Sequence, residues 1–232
     1  MSASLSALTL GGRMALRRLG GRSTLLVATG AGAFCTLAAW AERHADPAAA
    51  ASLALRGPAF GLAIPLATYA LVSVALGRAR PEDAVGGAAV LGANRRTAAM
   101  GALIATSVVS AFVGLLTAAT TVLIAYARVD GGTLTDVFTS AWIGGLTGWV
   151  YAFFFGAAST VGRRGGGRFV ALLADWLLGP MVGAGAVLLP RSHALNLLGA
   201  EPVLGLPQMA SAGVLVGLAV AAAGVMGLRT RG

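Results

Sequence analysis

The chain has 232 residues, of which 57% are hydrophobic and 11% are charged, with a formal net charge of +9. Soluble domains usually carry about 25% charged residues, so the composition excludes an ordinary soluble enzyme and suits about six apolar spans of roughly 20 residues. All 17 basic residues are arginines that lie between apolar runs. This placement favours loop charges next to a membrane over binding to nucleic acid.

Residues 1–22 contain five leucines with arginines among them, including Arg13, Arg17 and Arg18. A basic amphipathic segment of this kind is expected to lie as an elbow helix on the inner membrane surface, in contact with lipids. The apolar stretch that follows is longer than the roughly 7–15 residues of a signal-peptide core, so we predict that it remains as the first span.

The apolar runs predict an all-α, polytopic membrane protein with a single transmembrane domain over residues 1–232. Pro58 lies near the expected start of the second span, where proline is tolerated, whereas Pro65 lies inside it and predicts a kink. The third run exceeds the roughly 30 Å of a bilayer core and predicts a tilted helix. The six predicted spans are 23–41, 57–77, 97–127, 137–161, 169–189 and 207–228.

The arginines are divided unevenly between the two sides of these spans. Basic residues are enriched in cytoplasmic loops, so the richer side predicts a cytoplasmic N-terminus, a cytoplasmic C-terminus and multi-pass insertion in the cytoplasmic (inner) membrane. The predicted inner arginines are 13, 17, 18, 22, 78, 80, 95, 96, 163, 164, 168, 229 and 231, and the outer ones are 43, 56, 128 and 191.

The inner segment 81–96 begins with Pro81, Glu82 and Asp83, a favourable helix start with acids at the positive end of the helix dipole. Arg95 and Arg96 would then lie near the other end, where cations are favoured. We therefore predict a short cytoplasmic helix over about Glu82–Asn94. An ordinary surface loop is the alternative.

The outer segment 190–206 is too short for a hairpin of spans and too apolar for a free loop. It predicts a re-entrant or interfacial pair of short helices, broken at Gly199–Pro202. An apolar loop packed on the bundle is the alternative.

Asp175 is the only acid predicted within a span. A carboxylate in hydrocarbon is costly, so it marks either a structural hydrogen bond or a role in transport or coupling. Its predicted partners are Arg168, an arginine of the N-terminal segment, or hydroxyl groups of another span.

Glycine pairs at a spacing of four allow helices to approach closely. Gly57 with Gly61, Gly144 with Gly148, and Gly213 with Gly217 have this spacing, which favours packing within the chain over contact with a second copy.

The chain contains no lysine, so it cannot form a P-loop of the GxxxxGK[ST] type and is not expected to be an ATPase or another enzyme. Its two histidines, His44 and His193, are not spaced as a zinc pair, so no metal site and no cofactor are expected in this chain.

The basic N-terminal segment, the six spans, VLGANRR after the second span and LPRSHALNLLGA before the last span together resemble the permease subunit of type-2 ABC transporters, the exporter class. The resemblance implies ATPase-coupling residues in the inner segment, elbow residues in the N-terminal helix and residues of an outer re-entrant segment. The coupling set is Glu82, Asp83, Leu91, Gly92, Asn94, Arg95 and Arg96; the elbow set is Arg13, Arg17 and Arg18; the outer set is His193, Asn196 and Glu201.

The resemblance further implies cytoplasmic ABC ATPase subunits as partners, with ATP and Mg bound in those subunits. It implies a second permease copy, as a homodimer or a heterodimer, and export of an amphipathic peptide, lipid-like or drug-like substrate. Two other functions stay open from the sequence: a transporter driven by an ion gradient, and a membrane scaffold or assembly protein that does not transport.

Overall fold

The computed structural model describes residues 2–42, 46–127, 133–181 and 183–230, and every regular element in these ranges is helical. Arg43, Arg128 and Arg231 lie outside the described residues. The α-helices are α1 (Ser2–Leu19), α2 (Arg22–Glu42), α3 (Pro47–Ala54), α4 (Ile64–Leu76), α5 (Pro81–Ala84), α6 (Gly86–Val90), α7 (Arg95–Ala125), α8 (Thr133–Ala158), α9 (Gly167–Leu178), α10 (Pro190–Leu197) and α11 (Gln208–Arg229). A π-helical stretch, Leu55–Ala63, joins α3 to α4, and 3-10 turns occupy Arg163–Gly165, Ala184–Leu188 and Val203–Gly205.

Five helical segments are long and apolar enough to cross a membrane: Arg22–Glu42, Ala48–Leu76, Arg95–Ala125, Leu134–Ala158 and Gln208–Arg229. The shortest has 21 residues, and at ~1.5 Å per residue it covers the roughly 30 Å of a hydrocarbon core. This architecture fits a polytopic helical membrane protein. Four of the six predicted spans correspond to α2, α7, α8 and α11.

The second predicted span lies within a longer helical run that begins at Pro47, so Pro58 is inside the helix and the prediction that it lies near the start is wrong. Proline has no N–H to donate to the preceding turn. The helix around Pro58 is a π-helix, which is wider than an α-helix. At its end, the N–H of Ile64 bonds to the carbonyl of Ala59, five residues earlier. Pro65 falls in the first turn of α4, directly after the π-helical stretch, and the kink at Pro65 stays a prediction.

The fifth predicted span, 169–189, is wrong as a single helix, because α9 ends at Leu178 and α10 begins only at Pro190. Pro180 cannot donate to the carbonyl of Trp176 four residues earlier, and the Nη1 of Arg191 donates to that carbonyl instead, at 3.2 Å. The 12 residues of α9 cover ~18 Å, which is short of a bilayer core.

Helices α7 and α8 pack closely against each other across glycines. A Cβ added at Gly148 would lie 2.3 Å from the carbonyl oxygen of Ser110, and one added at Gly144 would lie 2.4 Å from that of Gly114. This pair therefore packs within the chain, as predicted. Gly213 and Gly217 of α11 have nothing of the described fold within 4 Å of an added Cβ.

The N-terminal helix α1 packs closely along the first turns of α7. A Cβ at Gly11 would lie 1.9 Å from the carbonyl oxygen of Ala98, and one at Gly101 would lie 2.0 Å from that of Leu8. The side chains of Arg13 and Arg17 are exposed. The position of α1 at a membrane surface stays a prediction.

Contacts between helix ends define two ends of the bundle. At one, which we call the arginine-rich end, Arg18 and Arg168 both bond to the chain around the end of α4. At the other, the far end, Arg56 bonds to the carbonyls of Leu198 and Gly199 after α10. The chain therefore passes from the arginine-rich end to the far end a third time through α9 and the short elements that follow it.

The α7–α8 contact generates a stability prediction. Replacing Gly148 by alanine forces the two backbones apart, and overpacking of this kind costs about 1–3 kcal/mol. We expect the thermal unfolding midpoint of the detergent-purified Gly148→Ala chain to fall. Gly213→Ala is the matched control, with an unchanged or higher midpoint because the added methyl group meets no atom within 4 Å. Equal midpoints for the two variants would contradict the contact.

Candidate functional site

The segment between α4 and α7 consists of two short helices, α5 and α6, so the prediction of one helix over about Glu82–Asn94 is wrong in detail. The N–H of Gly92 bonds to the carbonyl of Ala89, and that of Ala93 bonds to the carbonyl of Ala88. With Gly92 at φ +76°, these bonds form a Schellman motif, which ends a helix at a left-handed glycine. Glu82 and Asp83 do lie in the first turn of α5, as predicted.

Arg95 and Arg96 lie at the start of α7, so the prediction that they end the short helix is wrong. The side-chain oxygen of Asn94 accepts a hydrogen bond from the N–H of Thr97 at 3.2 Å, which makes Asn94 the N-cap of α7. Cations are disfavoured at a helix start. The guanidinium of Arg96 instead lies against Gly227, near the end of α11, where carbonyls are exposed.

Arg18 joins α1 to the last turns of α4 and of α5. Its Nη1 donates to the carbonyl of Ala75 at 2.7 Å, and its Nη2 donates to the carbonyl of Ala84 at 2.9 Å. Both carbonyls belong to the last turns of helices, where a cation is favoured. Of the three arginines assigned to the elbow, Arg18 is therefore the one that fixes α1 to the short helices.

Arg168, in α9, likewise donates hydrogen bonds to backbone carbonyls, here in the chain that follows α4. It is buried, and its Nη2 donates to the carbonyls of Gly77 and Ala79 at 2.9 and 3.0 Å. Its Nη1 lies 3.3 Å from the hydroxyl oxygen of Ser73. Burial lowers the pKa of Arg168, but a guanidinium keeps its proton in proteins. Arg168 therefore faces α4, and the prediction that it could pair with Asp175 is wrong.

Two apolar side chains project from the end of α6. Val90 is 88% exposed and Leu91 is 74% exposed, and both lie outside the five segments that could cross a membrane. They are adjacent to the Gly92 turn, and α5 ahead of them is joined through Arg18 to α1. The arrangement offers a small apolar projection on a segment that is fixed to the helices behind it.

Asp175 is 1% exposed and has two hydrogen-bond partners. Its Oδ2 accepts from the hydroxyl of Tyr151 in α8 at 2.5 Å, and its Oδ1 accepts from the N–H of Arg191 at 3.2 Å. Of the predicted partners, a hydroxyl of another span is the one observed. Because Arg191 lies in the first turn of α10, the carboxylate also satisfies a free N–H of that helix.

The outer segment contains α10, and the chain after it is non-helical up to Pro202, so the predicted break is present. His193 and Asn196 are buried, whereas Glu201 is exposed. The Nε2 of His193 lies 2.8 Å from the carbonyl oxygen of Val187, and its Nδ1 lies 3.2 Å from the hydroxyl oxygen of Ser211.

The partners of His193 determine its tautomer. A carbonyl can only accept, so Nε2 carries the proton, and Nδ1 accepts from the hydroxyl of Ser211. The Nδ2 of Asn196 donates to that same hydroxyl oxygen at 2.8 Å. The chain of bonds ties the 3-10 turn before α10, α10 itself and the start of α11 together. Burial lowers the pKa of His193 from its ordinary 6.5, and the bond to Val187 partly opposes this.

Sequence reasoning missed Tyr151, Arg191 and Ser211 as partners of these buried groups. Each lies on a different element from the group that it contacts, at sequence separations of 16 to 24 residues. Nothing in the local pattern singles out these three residues from the chain's other tyrosines, arginines and serines.

The chain matches none of the known protein-family models, curated proteins or solved structures with which it was compared. Within the described ranges, no three His, Cys, Asp or Glu side chains are grouped so that they could hold a metal ion.

The His193 network generates a pH prediction. Folding lowers the pKa of His193, so below about pH 6.5 its imidazole binds a proton more readily in the unfolded chain than in the folded chain. Stability is therefore lost as the pH falls from about 6.5 through the lowered pKa. We expect the thermal midpoint of the native chain to fall on acidification more than that of His193→Gln, which has no imidazole to titrate. An equal pH dependence for the two chains would contradict the network.

Proposed function

We propose that the chain is the transmembrane permease subunit of an ATP-driven exporter of the type-2 ABC class. It would move an amphipathic substrate (a peptide, a lipid-like or a drug-like molecule) across the cytoplasmic membrane. With no lysine for a P-loop, the chain would rely on separate cytoplasmic ATPase subunits that bind ATP and Mg. A second permease copy would complete the path.

The observation that carries the proposal is the α5–α6 segment. It lies between two long apolar helices, carries Val90 and Leu91 as exposed apolar side chains, and is bonded through Arg18 to α1. A soluble partner that docks on Val90 and Leu91 would act on α1 and α4 together, because Arg18 also bonds to the end of α4. Such a segment suits an external motor better than a free loop would.

The mechanism follows from this connection. Closure of the ATPase subunits on ATP would displace the α5–α6 segment, and the guanidinium–carbonyl bonds would pass the displacement to α1, α4 and α9. The permease would then change between two states whose populations depend on a ligand bound in the partner. The topology that this requires, with six spans and both termini in the cytoplasm, is part of the proposal.

Copurification tests the proposal. We expect the chain, extracted gently from its native membrane, to bring down a soluble ATPase in stoichiometric amount. In the double variant Val90→Glu with Leu91→Glu, the buried apolar contact is lost and recovery of the ATPase should fall roughly tenfold or more.

Val161→Glu is the matched control. Val161 is 47% exposed and directly precedes Gly162, whose carbonyl accepts from Arg80 at the arginine-rich end. Because Val161 lies outside the α5–α6 segment, its substitution should leave recovery of the ATPase unchanged. Thermal midpoints establish that all three chains are folded. Repeated absence of an ATPase from the native preparation, or equal recovery with the double variant, would contradict the proposal.

A further inference from the structure

A cavity of about 290 Å³ opens at the far end of the bundle. Its walls come from α3 and the start of the π-helical stretch, the end of α7, the first turns of α8, the turn after α10 and the start of α11. Five separate parts of the chain therefore converge on one space. The volume is at the lower end of the range for ligand sites, which suits one polar headgroup and not a whole large molecule.

Arg56 supplies the positive charge of this cavity. Its Nη2 donates to the carbonyls of Leu198 and Gly199, both at 2.9 Å, while its Nε is buried without a hydrogen-bond partner. A buried donor that lacks an acceptor costs about 1–3 kcal/mol. That cost is the same whether or not the cavity is occupied, because Nε has almost no surface that a ligand could reach. An anionic group in the cavity would instead accept hydrogen bonds from the Nη atoms of Arg56. Arg56 also belongs to the π-helical stretch, and π-helical turns inside α-helices occur frequently at functional sites.

Asp136 supplies a negative charge from α8. It is exposed, and the hydroxyl of Tyr126 interacts with its carboxylate. A carboxylate has about four acceptor positions, so one hydroxyl leaves it able to accept further donors. The hydroxyls of Thr139 and Ser140 line the same wall.

The remaining lining is partly apolar and partly polar. Leu55, Val122 and Ile143 contribute hydrocarbon, and the amide of Gln208 is held by a 2.6 Å bond to the carbonyl of Leu197. The cavity thus combines the cationic side chain of Arg56, the carboxylate of Asp136, neutral hydroxyl groups and apolar side chains. A ligand with only one charge would leave one of the two charged side chains without a charged partner.

We propose that this cavity binds a zwitterionic headgroup, with its anionic group at Arg56 and its ammonium group at Asp136. The same chemistry is present in a zwitterionic phospholipid and in a free zwitterion such as phosphoethanolamine. The proposal does not depend on the exporter function, because the binding belongs to the chain without an ATPase.

Native mass spectrometry of the detergent-purified chain tests the site. The probes are dihexanoyl phosphatidylethanolamine, free phosphoethanolamine, and dihexanoyl phosphatidylglycerol, whose headgroup lacks the ammonium group. We expect Asp136→Asn to weaken binding of the phosphatidylethanolamine about tenfold, since a charge-assisted bond is lost. Binding of the anionic phosphatidylglycerol should not weaken, because the substitution removes a like charge. Arg56→Lys keeps the charge but removes the planar guanidinium group and its bonds to Leu198 and Gly199, so it should weaken binding of both lipids.

Arg78→Gln is the charge control, because Arg78 is exposed in the chain just after α4, at the opposite end of the bundle. It should bind all probes as the native chain does. Binding of free phosphoethanolamine, which has no acyl chains, would identify a free zwitterion as the ligand. Binding of phosphatidylethanolamine but not of phosphoethanolamine would identify a membrane lipid as the ligand. Because Asp136 is exposed, its variant should remain folded. If Asp136→Asn binds phosphatidylethanolamine as tightly as Arg78→Gln does, the proposal is overturned.

Discussion

The described fold depends on hydrogen bonds from arginine guanidinium groups to backbone carbonyls at the ends of helices. The chain has 17 arginines and only 8 acids, so most arginines cannot find a carboxylate. Helix ends leave carbonyls unpaired, and each of these carbonyls needs a donor from a side chain or from water. Arg18 and Arg168 take such carbonyls at one end of the bundle, and Arg56 and Arg191 take them at or towards the other. One physical interaction therefore holds the breaks between helices in place.

This interaction bears on function because it joins what the chain order separates. At the arginine-rich end, α1, α4, α5 and α9 share the bonds of Arg18 and Arg168, while α6 carries the exposed pair Val90 and Leu91 away from them. At the far end, the bonds of Arg56 to Leu198 and Gly199 form one wall of the headgroup cavity. A topology prediction uses these arginines only to decide which side of the membrane a loop faces. In the fold they also hold together the two candidate sites, the α5–α6 segment and the headgroup cavity.

Local signals in the sequence predict the features that local physics decides. Long apolar runs predict α2, α7, α8 and α11, and the acids after Pro81 predict the start of α5. The sequence does not reveal the π-helical stretch, because Pro58 lies inside a helix only once α3 is continuous with it. It does not reveal the end of α9 at Leu178, where Arg191 takes the carbonyl that Pro180 leaves free. The partners of Arg168 and Asp175 likewise depend on which helices meet, so tertiary packing decides them.

The most direct test of the account measures whether the arginine-rich end moves as one unit. In the proposed complex with an ATPase, spin labels would be placed at Asp83 in α5 and at Leu16, both exposed, in a chain whose single cysteine, Cys35, is replaced by alanine. Labelled chains would be diluted with unlabelled ones so that distances within one chain are read. We predict that the Asp83–Leu16 distance stays constant when ATP is added, while the distance from Asp83 to Glu201 at the far end changes. A change in the Asp83–Leu16 distance, with a constant distance from Asp83 to Glu201, would contradict movement of the arginine-rich end as one unit.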